Sequence, residues 1–505
     1  MIKDIREALV STSSQYCDKP AIIFKDTTIT FGQLREQVNR LAVALKQAGL
    51  SKGDKLAVYL PNCPEYVYSY LACFQLGAVC VPLDFMLKEA ELISCLSHSE
   101  SKILIAKLND VSLNNVKQAA SNLKTLILCD GELEGALNYN TLITQSQPLT
   151  NTTPVSDKDS ALIMYTSGTT GAPKGILLNY KHLQGSPEAM EYFVDLTDRD
   201  VKLAAIPLSH IGGFIYIQNC IHFKITVILM DRFNPMEFLR NIDRYKVTCF
   251  HIVPPMYTAI LSLKEIEKFN LSSLRWVVVF GAPSSPEILN RFHTYCPNAK
   301  LLNGWGMTET CPPNTVTPLN STKIESVGKP APNCEIVIVD DQDKPVAVGE
   351  IGEIVIRGWI VMDEYYKDPQ STAAMKRNGG LYTGDLGRFD AEGFLYIVGR
   401  KKEMIKVGGQ IVYAPEVEAA LYKHEAVQEA AVIGVADKIR GEALKAFVVL
   451  KLGTTTTPED LRYFAREHLA HFKVPQSIEI RTELPKNRTG KIDKSMLQEE
   501  AVTKS

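Results

Sequence analysis

The chain has 505 residues, 45% of them hydrophobic and 22% charged, with Lys+Arg 55 against Asp+Glu 57 and a formal net charge of -2. That composition supports a sizeable core and excludes wholesale disorder, and the length predicts more than one domain. The near-neutral balance argues against nucleic acid as the main partner, because polyanion binders carry a basic excess. The 11 cysteines show no C-x-x-C spacing and none follows Cys334, which predicts reduced, mostly buried thiols rather than a disulfide framework or a zinc site. The opening MIKDIREALV contains acids and no apolar h-region, so no secretory signal is expected. No apolar run approaches the roughly 18–20 residues that span a bilayer, and a cytoplasmic location is the expectation.

In chain order, the amphipathic stretch 33–50 predicts a helix stopped at Gly49. The runs KLAVYL (55–60), KILIA (102–106), TLILC (125–129), ALIMY (161–165), ITVILM (225–230), VTCFHIV (247–253) and LRWVVVF (274–280) are apolar on both faces. Such runs fit parallel strands covered by helices, and their alternation with helical patterns predicts doubly wound α/β architecture. The polar stretch 130–160 reads as a surface linker. From about 321 to 398, turn signals at short intervals predict an antiparallel, β-rich region. A change of texture at 399–403 predicts a domain boundary, followed by a smaller C-terminal domain over 404–505 with a helix and two strands near its start.

The segment YTSGTTGAPKGI (165–176) directly follows a strand-like run. Its glycines let backbone amides approach a polyphosphate, its hydroxyls add neutral donors and Lys174 adds a cation. The spacing is not that of the common P-loop, and a plain Gly/Thr surface loop is the alternative. In NGWGMTET (303–310) an aromatic sits between glycines, ahead of a hydroxyl and a carboxylate, although a glycine-rich turn with Trp305 filling the core has the same composition. Asp385, in YTGDLGRFD (382–390), suits a turn or cap, and Arg400 beside Lys401 and Lys402 suits a solvated charge run. A lone histidine such as His210, in PLSHIGG (207–213), is more often a satisfied core residue than a catalyst. Two further patterns are discounted. GLSKG (49–53) follows a helix and precedes a strand, the reverse of a nucleophile elbow, and HLAH (468–471) lacks a third metal ligand.

Taken together with GAPSSPE (281–287), GRKKEMIKVGG (399–409) and PKNRTGKI (485–492), these segments follow one another in a fixed order along the whole chain. The chain thereby resembles the AMP-forming acyl-activating superfamily, which holds acyl-CoA synthetases, adenylation domains and luciferases, and it is most like an acyl-CoA synthetase. The resemblance implies a large N-terminal domain (1–398) of doubly wound sheets with a β-barrel-like subdomain at about 321–398. It further implies a hinge at 399–403 and a small mobile C-terminal α+β domain (404–505).

The implied nucleotide site comprises Thr166, Ser167, Gly168, Thr169, Thr170 and Lys174 around the phosphates, with Gly281, Ala282, Pro283, Gly304, Trp305, Gly306 and Met307 near the adenosine. Trp305 is expected to stack near adenine, Thr308 to touch the α-phosphate and Glu309 to help hold Mg2+. Asp385 is expected to accept hydrogen bonds from the ribose hydroxyls, with Arg400 near the ribose and phosphates. His210 borders the carboxylate pocket. Lys491 reaches the nucleotide during adenylation, where a flexible ammonium meets developing charge. Lys402 is the implied pivot, and Gly408 and Gly409 the implied lining of a tunnel for CoA.

The implied reaction uses ATP, Mg2+ and CoA to activate a carboxylic acid, fatty or otherwise apolar. A stand-alone enzyme loading a separate carrier protein, and a catalytically silent nucleotide sensor, are the alternatives. A fused carrier domain after residue 505 is not expected. Phe193, Phe250, Val279, Phe280, Gly306 and Met307 are the expected walls of the acyl pocket. Lys402 stands where many synthetases have Asp, and Ala414 where the family's proline usually falls, with Pro415 one place later.

Overall fold

Parallel strands that are apolar on both faces require helices on both sides, and the chain supplies them. A computed structural model describes residues 4–149, 151–166, 174–281, 286–437, 439–486 and 492–503. Among these residues the strands form four sheets. The first runs from edge to edge through Lys329–Pro330, Thr315–Val316, Lys300–Trp305, Trp276–Val279, Cys249–Ile252, Val201–Ala204, Thr226–Leu229, Pro20–Phe24 and Thr27–Thr30. Its inner strands are parallel, and antiparallel pairs close both edges. The second orders Glu364–Tyr365, Lys174–Asn179, Ser160–Thr166, Val79–Leu83, Lys55–Tyr59, Ile103–Ala106, Thr125–Leu128 and Leu137–Asn138. Every apolar run singled out in the sequence is a strand of one of these two sheets.

Helices Phe31–Gln47, Pro64–Gln75 and Ile211–Phe223 fill the space between the two large sheets, in one core that takes side chains from both. Tyr70 stacks on Phe214 with centroids 5.0 Å apart, joining two of these helices. The Phe31–Gln47 helix starts on a reciprocal cap between Thr30 and Gln33 and buries Phe31, Leu34, Val38, Leu41 and Leu45 at three- and four-residue spacing. It ends two residues before Gly49, whose φ of +93° turns the chain away. Helices Pro235–Tyr245 and Pro254–Leu261 cover the far face of the first sheet, against Leu203, Phe250, Val277 and Val279.

The stretch 130–160 is more than a linker. It contains the strand Leu137–Asn138 and the helix Tyr139–Gln145, whose Tyr139 and Ile143 reach the core. Two buried side chains in a polar stretch leave too little periodicity to read from sequence.

The third sheet is antiparallel, with Glu335–Val339, Gly352–Arg357, Gly380–Phe389 and Lys376–Arg377 in order and Leu395–Arg400 on the long strand. Two strands of the 321–398 region leave it: Lys329–Pro330 belongs to the first sheet, and Glu364–Tyr365 pairs with Lys174–Asn179 and so belongs to the second. The fourth sheet is made of Gln410–Tyr413, Met404–Val407, Gly441–Leu450, Val427–Asp437 and Ser477–Arg481. Helix Ala414–Tyr422 packs on it and opens with Pro415 in its first turn, where a missing N–H costs nothing. Among the described residues no helix is long and apolar enough to cross a membrane.

Candidate active site

In doubly wound folds ligands gather at the carboxyl ends of the parallel strands, and Gly304, Trp305, Thr308, Glu309 and His210 lie there. Strand Lys300–Trp305 carries Gly304 and Trp305 at its carboxyl end, and Thr308 and Glu309 follow in a short helical turn, Thr308–Thr310. Gly304 is a glycine for want of space: a Cβ there would lie 2.2 Å from the ring of Phe280. A Cβ on Gly306 would meet Pro312 at 2.6 Å and Asn314 at 2.9 Å, so close packing accounts for that glycine.

The Trp305 indole Nε1 donates to Asp385 Oδ2 at 2.9 Å, and Arg400 Nε lies 3.0 Å from Asp385 Oδ1. Asp385 and Arg400 face each other across two antiparallel strands. Sequence reasoning set Trp305 on the base and Asp385 on the ribose; the structure adds a direct bond between the two. An ionised carboxylate accepts through both of its oxygens, the chemistry that suits hydroxyl donors.

Glu309 is 9% exposed. Its Oε1 accepts a 2.8 Å hydrogen bond from the Tyr365 hydroxyl, and its backbone carbonyl accepts from Met362 N at 2.7 Å. Burial pushes the Glu309 carboxyl up from its ordinary range, while its own backbone N–H, Tyr365 and the charge of Arg400 pull it back and Asp385 pushes it up again. Glu309, Arg400 and Asp385 thus share one electrostatic neighbourhood. Burial and the neighbouring Glu309 also raise the Tyr365 hydroxyl, which keeps it a donor. Lys174 Nζ lies 5.2 Å from the centroid of the same Tyr365 ring. Tyr365 is the residue that sequence reasoning missed. It lies 56 residues from Glu309, and only the departure of its strand to the second sheet brings it there.

Thr166 ends its strand opposite Lys174, so the loop between them joins two antiparallel strands rather than a strand and a helix. Ser167, Gly168, Thr169, Thr170, Ala282, Pro283 and Lys491 lie outside the described residues. Gly281 has a φ of +92°, a conformation that favours glycine. Met307 packs against the core between the large sheets.

His210 is the N-cap residue of helix Ile211–Phe223, and its Nε2 lies 3.4 Å from Asp84 Oδ2. Asp84 is a second neighbour that the sequence did not single out. It follows the strand Val79–Leu83, in the other large sheet. Lys402 lies in the turn Lys401–Glu403; burial, then the charge of Arg400, lowers its ammonium below the ordinary range. Its neighbour Lys401 is tied to Asp341 at 3.0 Å and Glu353 at 3.1 Å. Gly408 and Gly409 form the tip of the hairpin between Met404–Val407 and Gln410–Tyr413, with φ of +59° and +84°. The turn itself asks for glycine at both places.

The supposed pocket walls divide between two faces. Phe250 and Val279 point to the outer helices, where Phe250 meets Phe238 with centroids 5.0 Å apart. Phe193 packs with Trp276, Val278 and Phe280 on the opposite, inner face. Strand alternation makes His251, not Phe250, the inward residue of its strand.

The AMP-binding enzyme family profile matches residues 9–366, and the AMP-binding enzyme C-terminal domain matches 416–491. The chain belongs to the AMP-binding enzyme family. It is 34% identical to a long-chain-fatty-acid–CoA ligase of Bacillus subtilis (strain 168), over 99% of this chain and 94% of that one. It is 31% identical to a crotonobetaine/carnitine–CoA ligase of Salmonella choleraesuis (strain SC-B67), over 98% and 99%. Among solved structures, the anthranilate CoA ligase AuaEII in complex with anthranoyl-AMP matches with a TM-score of 0.94 at 27% identity, covering 100% of this chain and 98% of that one.

Among the described residues no group of three or more His, Cys, Asp or Glu side chains is placed to hold a metal. Glu309 offers a single hard oxygen donor. That fits a Mg2+ arriving with a triphosphate, since the ion keeps waters and phosphate oxygens for its other positions.

Proposed function

We propose that the chain is an AMP-forming carboxylate–CoA ligase that makes a thioester in two half-reactions. In the first, an oxygen of the substrate carboxylate attacks the α-phosphorus of ATP. The bond from that phosphorus to the α–β bridging oxygen breaks, pyrophosphate leaves and an acyl-adenylate remains. In the second, the CoA thiol loses its proton and attacks the carbonyl carbon. The carbon–oxygen bond to the phosphate breaks and AMP leaves.

Catalysis in such a scheme is mostly positioning and charge neutralisation. Asp385, held by Trp305 and Arg400, anchors the ribose. Glu309, buttressed by Tyr365, is the residue that would hold Mg2+, and bound Mg2+ supplies neutralisation of phosphate charge. The 165–176 loop and Lys174 surround the phosphates, His210 orients the carboxylate, and Lys491 meets the charge that builds on the α-phosphate. A rotation about Lys402 then exchanges Lys491 for the hairpin bearing Gly408 and Gly409 and admits the thiol. The acceptor is free CoA, and a carrier protein is the outcome that would displace it.

The observation that carries this reading is the convergence of Glu309, Asp385, Arg400, Trp305 and Tyr365, drawn from separate sheets, beside Lys174. The relatives' names, from long-chain fatty acid to carnitine, support the reaction class and leave the acid open.

The test is pyrophosphate release from ATP over a panel of carboxylic acids, followed by thioester formation with CoA. Lys491→Ala is expected to lower adenylation by at least about 100-fold, the scale of losing one preorganised charge at a transition state. It should leave thioester formation from supplied acyl-adenylate within about threefold, because that ammonium serves the first half-reaction only. Equal loss in both halves would remove Lys491 from its role, and no pyrophosphate from any acid would remove the ligase reading.

A further inference from the structure

On the inner face of the first sheet, beneath Phe280 and Gly304, lies a set of buried polar groups that the proposed reaction does not use. Lys202 is 0% exposed, and its ammonium donates to Asn219 Oδ1 at 2.5 Å. It also faces the rings of Trp276 at 5.2 Å and Tyr216 at 5.8 Å. Tyr216 stacks on His251 with centroids 4.1 Å apart, and His251 meets Phe280 edge-on at 5.9 Å. A continuous line of contacts therefore runs from Gly304 at the nucleotide edge down to Lys202. Phe280 is four residue steps along the chain from Trp276, a depth of about 13 Å at about 3.3 Å per residue.

The far end of this line holds buried donors that lack a direct partner, with one unpartnered acceptor among the described residues, His251 Nδ1, further up the line. An ammonium has three protons, and Asn219 takes one. Among the described residues the Asn219 amide Nδ2 and the Trp276 indole Nε1 are buried with no partner. The acid within electrostatic reach of Lys202 is Asp200, and its two oxygens are each 2.7 Å from Arg275 Nη1. Burial lowers the ammonium to about 8, and the charge of Asp200 works against that fall. A buried ammonium without a direct counter-ion is costly, and a buried donor without an acceptor calls for a partner. The walls above are apolar: Phe193, Met190, Val278 and Leu302. His251 is kept neutral by burial and by Lys202, and its Nε2 is fixed on the Gly212 carbonyl at 2.8 Å, so it adds no second charge.

We propose that the acid activated here carries a second carboxylate at its far end, and that Lys202 and Asn219 bind it. This deepens the ligase reading and rests on it. The expectation of an apolar acid made no use of Lys202. The proposed substrate has an apolar middle that lies along Phe280, Val278 and Phe193, with an anion at each end. One end is adenylated beside His210 and the other pairs with the ammonium about 13 Å below.

The experiment measures kcat/KM for pyrophosphate release with dicarboxylates of graded length, alkyl and aryl, each against the monoacid of the same length. The intact enzyme is expected to prefer its best dicarboxylate by at least about tenfold, since a site built around buried donors rejects an analogue that leaves them unpaired. Lys202→Met should abolish that preference and leave the monoacid unchanged or improved. Asn219→Asp supplies the buried ammonium with a counter-ion, which protects the fold while repelling a distal anion. It should depress the dicarboxylate by at least about tenfold and spare the monoacid. Preference for monoacids in the intact enzyme, or equal loss of both acids in both variants, overturns the proposal while leaving the ligase standing. No pyrophosphate from any acid would instead strike the ligase reading on which it rests.

Discussion

Tyr365 shows how much a single hydroxyl carries. It donates to a carboxylate that is almost fully buried and whose pKa burial has already raised. A carboxylate that must be ionised to hold a cation loses function as pH falls through its pKa. Removing the Tyr365 donor takes away one of the groups that favour the charged form, so the pKa rises further. Tyr365→Phe is therefore expected to move the acid limb of the kcat/KM profile to higher pH, and to lower activity at pH 7 by about 10-fold or more, the scale of a lost hydrogen bond to a charged group. The profile should show the shift with saturating ATP and Mg2+; an unmoved acid limb would detach Tyr365 from Glu309. The Trp305–Asp385 bond acts in the same way, fixing a carboxylate before any ribose arrives.

At the level of elements, glycines with different reasons predict different penalties. Gly213 lies in the first turn of helix Ile211–Phe223, and a Cβ there would sit 2.0 Å from the carbonyl oxygen of Pro207. That oxygen belongs to the backbone and cannot step aside. Gly213→Ala should cost about 3 kcal/mol by overpacking and disturb the turn that carries His210. Gly408 has open space around it and only a φ of +59° to defend. Gly408→Ala should cost about 1 kcal/mol through backbone strain alone. Denaturant midpoints of the two variants check the order, and a reversed order would mean that the close contact relaxes.

The same elements show where sequence is legible. Helix Phe31–Gln47 and the buried strands announce themselves through apolar spacing and capping residues a few positions apart. The helix Tyr139–Gln145 does not, because its two anchoring side chains sit in a polar stretch and are chosen by what they dock against. Phe250 and Val279 were assigned to the pocket from their nearness to motifs. Their strands present the neighbouring residues to the inner face instead, and a shift of one residue along a strand exchanges its two faces.

For the whole molecule, the proposed exchange of half-reactions needs the chain to turn about the segment that follows Leu395–Arg400. Lys402 sits there between the third and fourth sheets, in a turn whose neighbour Lys401 is tied to Asp341 and Glu353. Fixing φ at the pivot should hold the terminal sheet in one orientation. Lys402→Pro is expected to leave adenylation within about threefold and to slow thioester formation by at least about tenfold, because only the second half-reaction waits on the rotation. Separate single-turnover assays of the two halves check it, and parallel losses would place the pivot elsewhere.

The order of motifs along the chain, the apolar strands and the helix caps were determined by the sequence itself, since each depends on residues within a few positions of one another. Which side chains meet was decided only by the tertiary structure. Tyr365 finds Glu309, Asp84 finds His210 and Asn219 finds Lys202 because strands and helices from distant segments are packed side by side. Nothing in local spacing encodes such a meeting. It follows from burial, which brings distant polar groups into a low-dielectric interior where each must find a partner or await one.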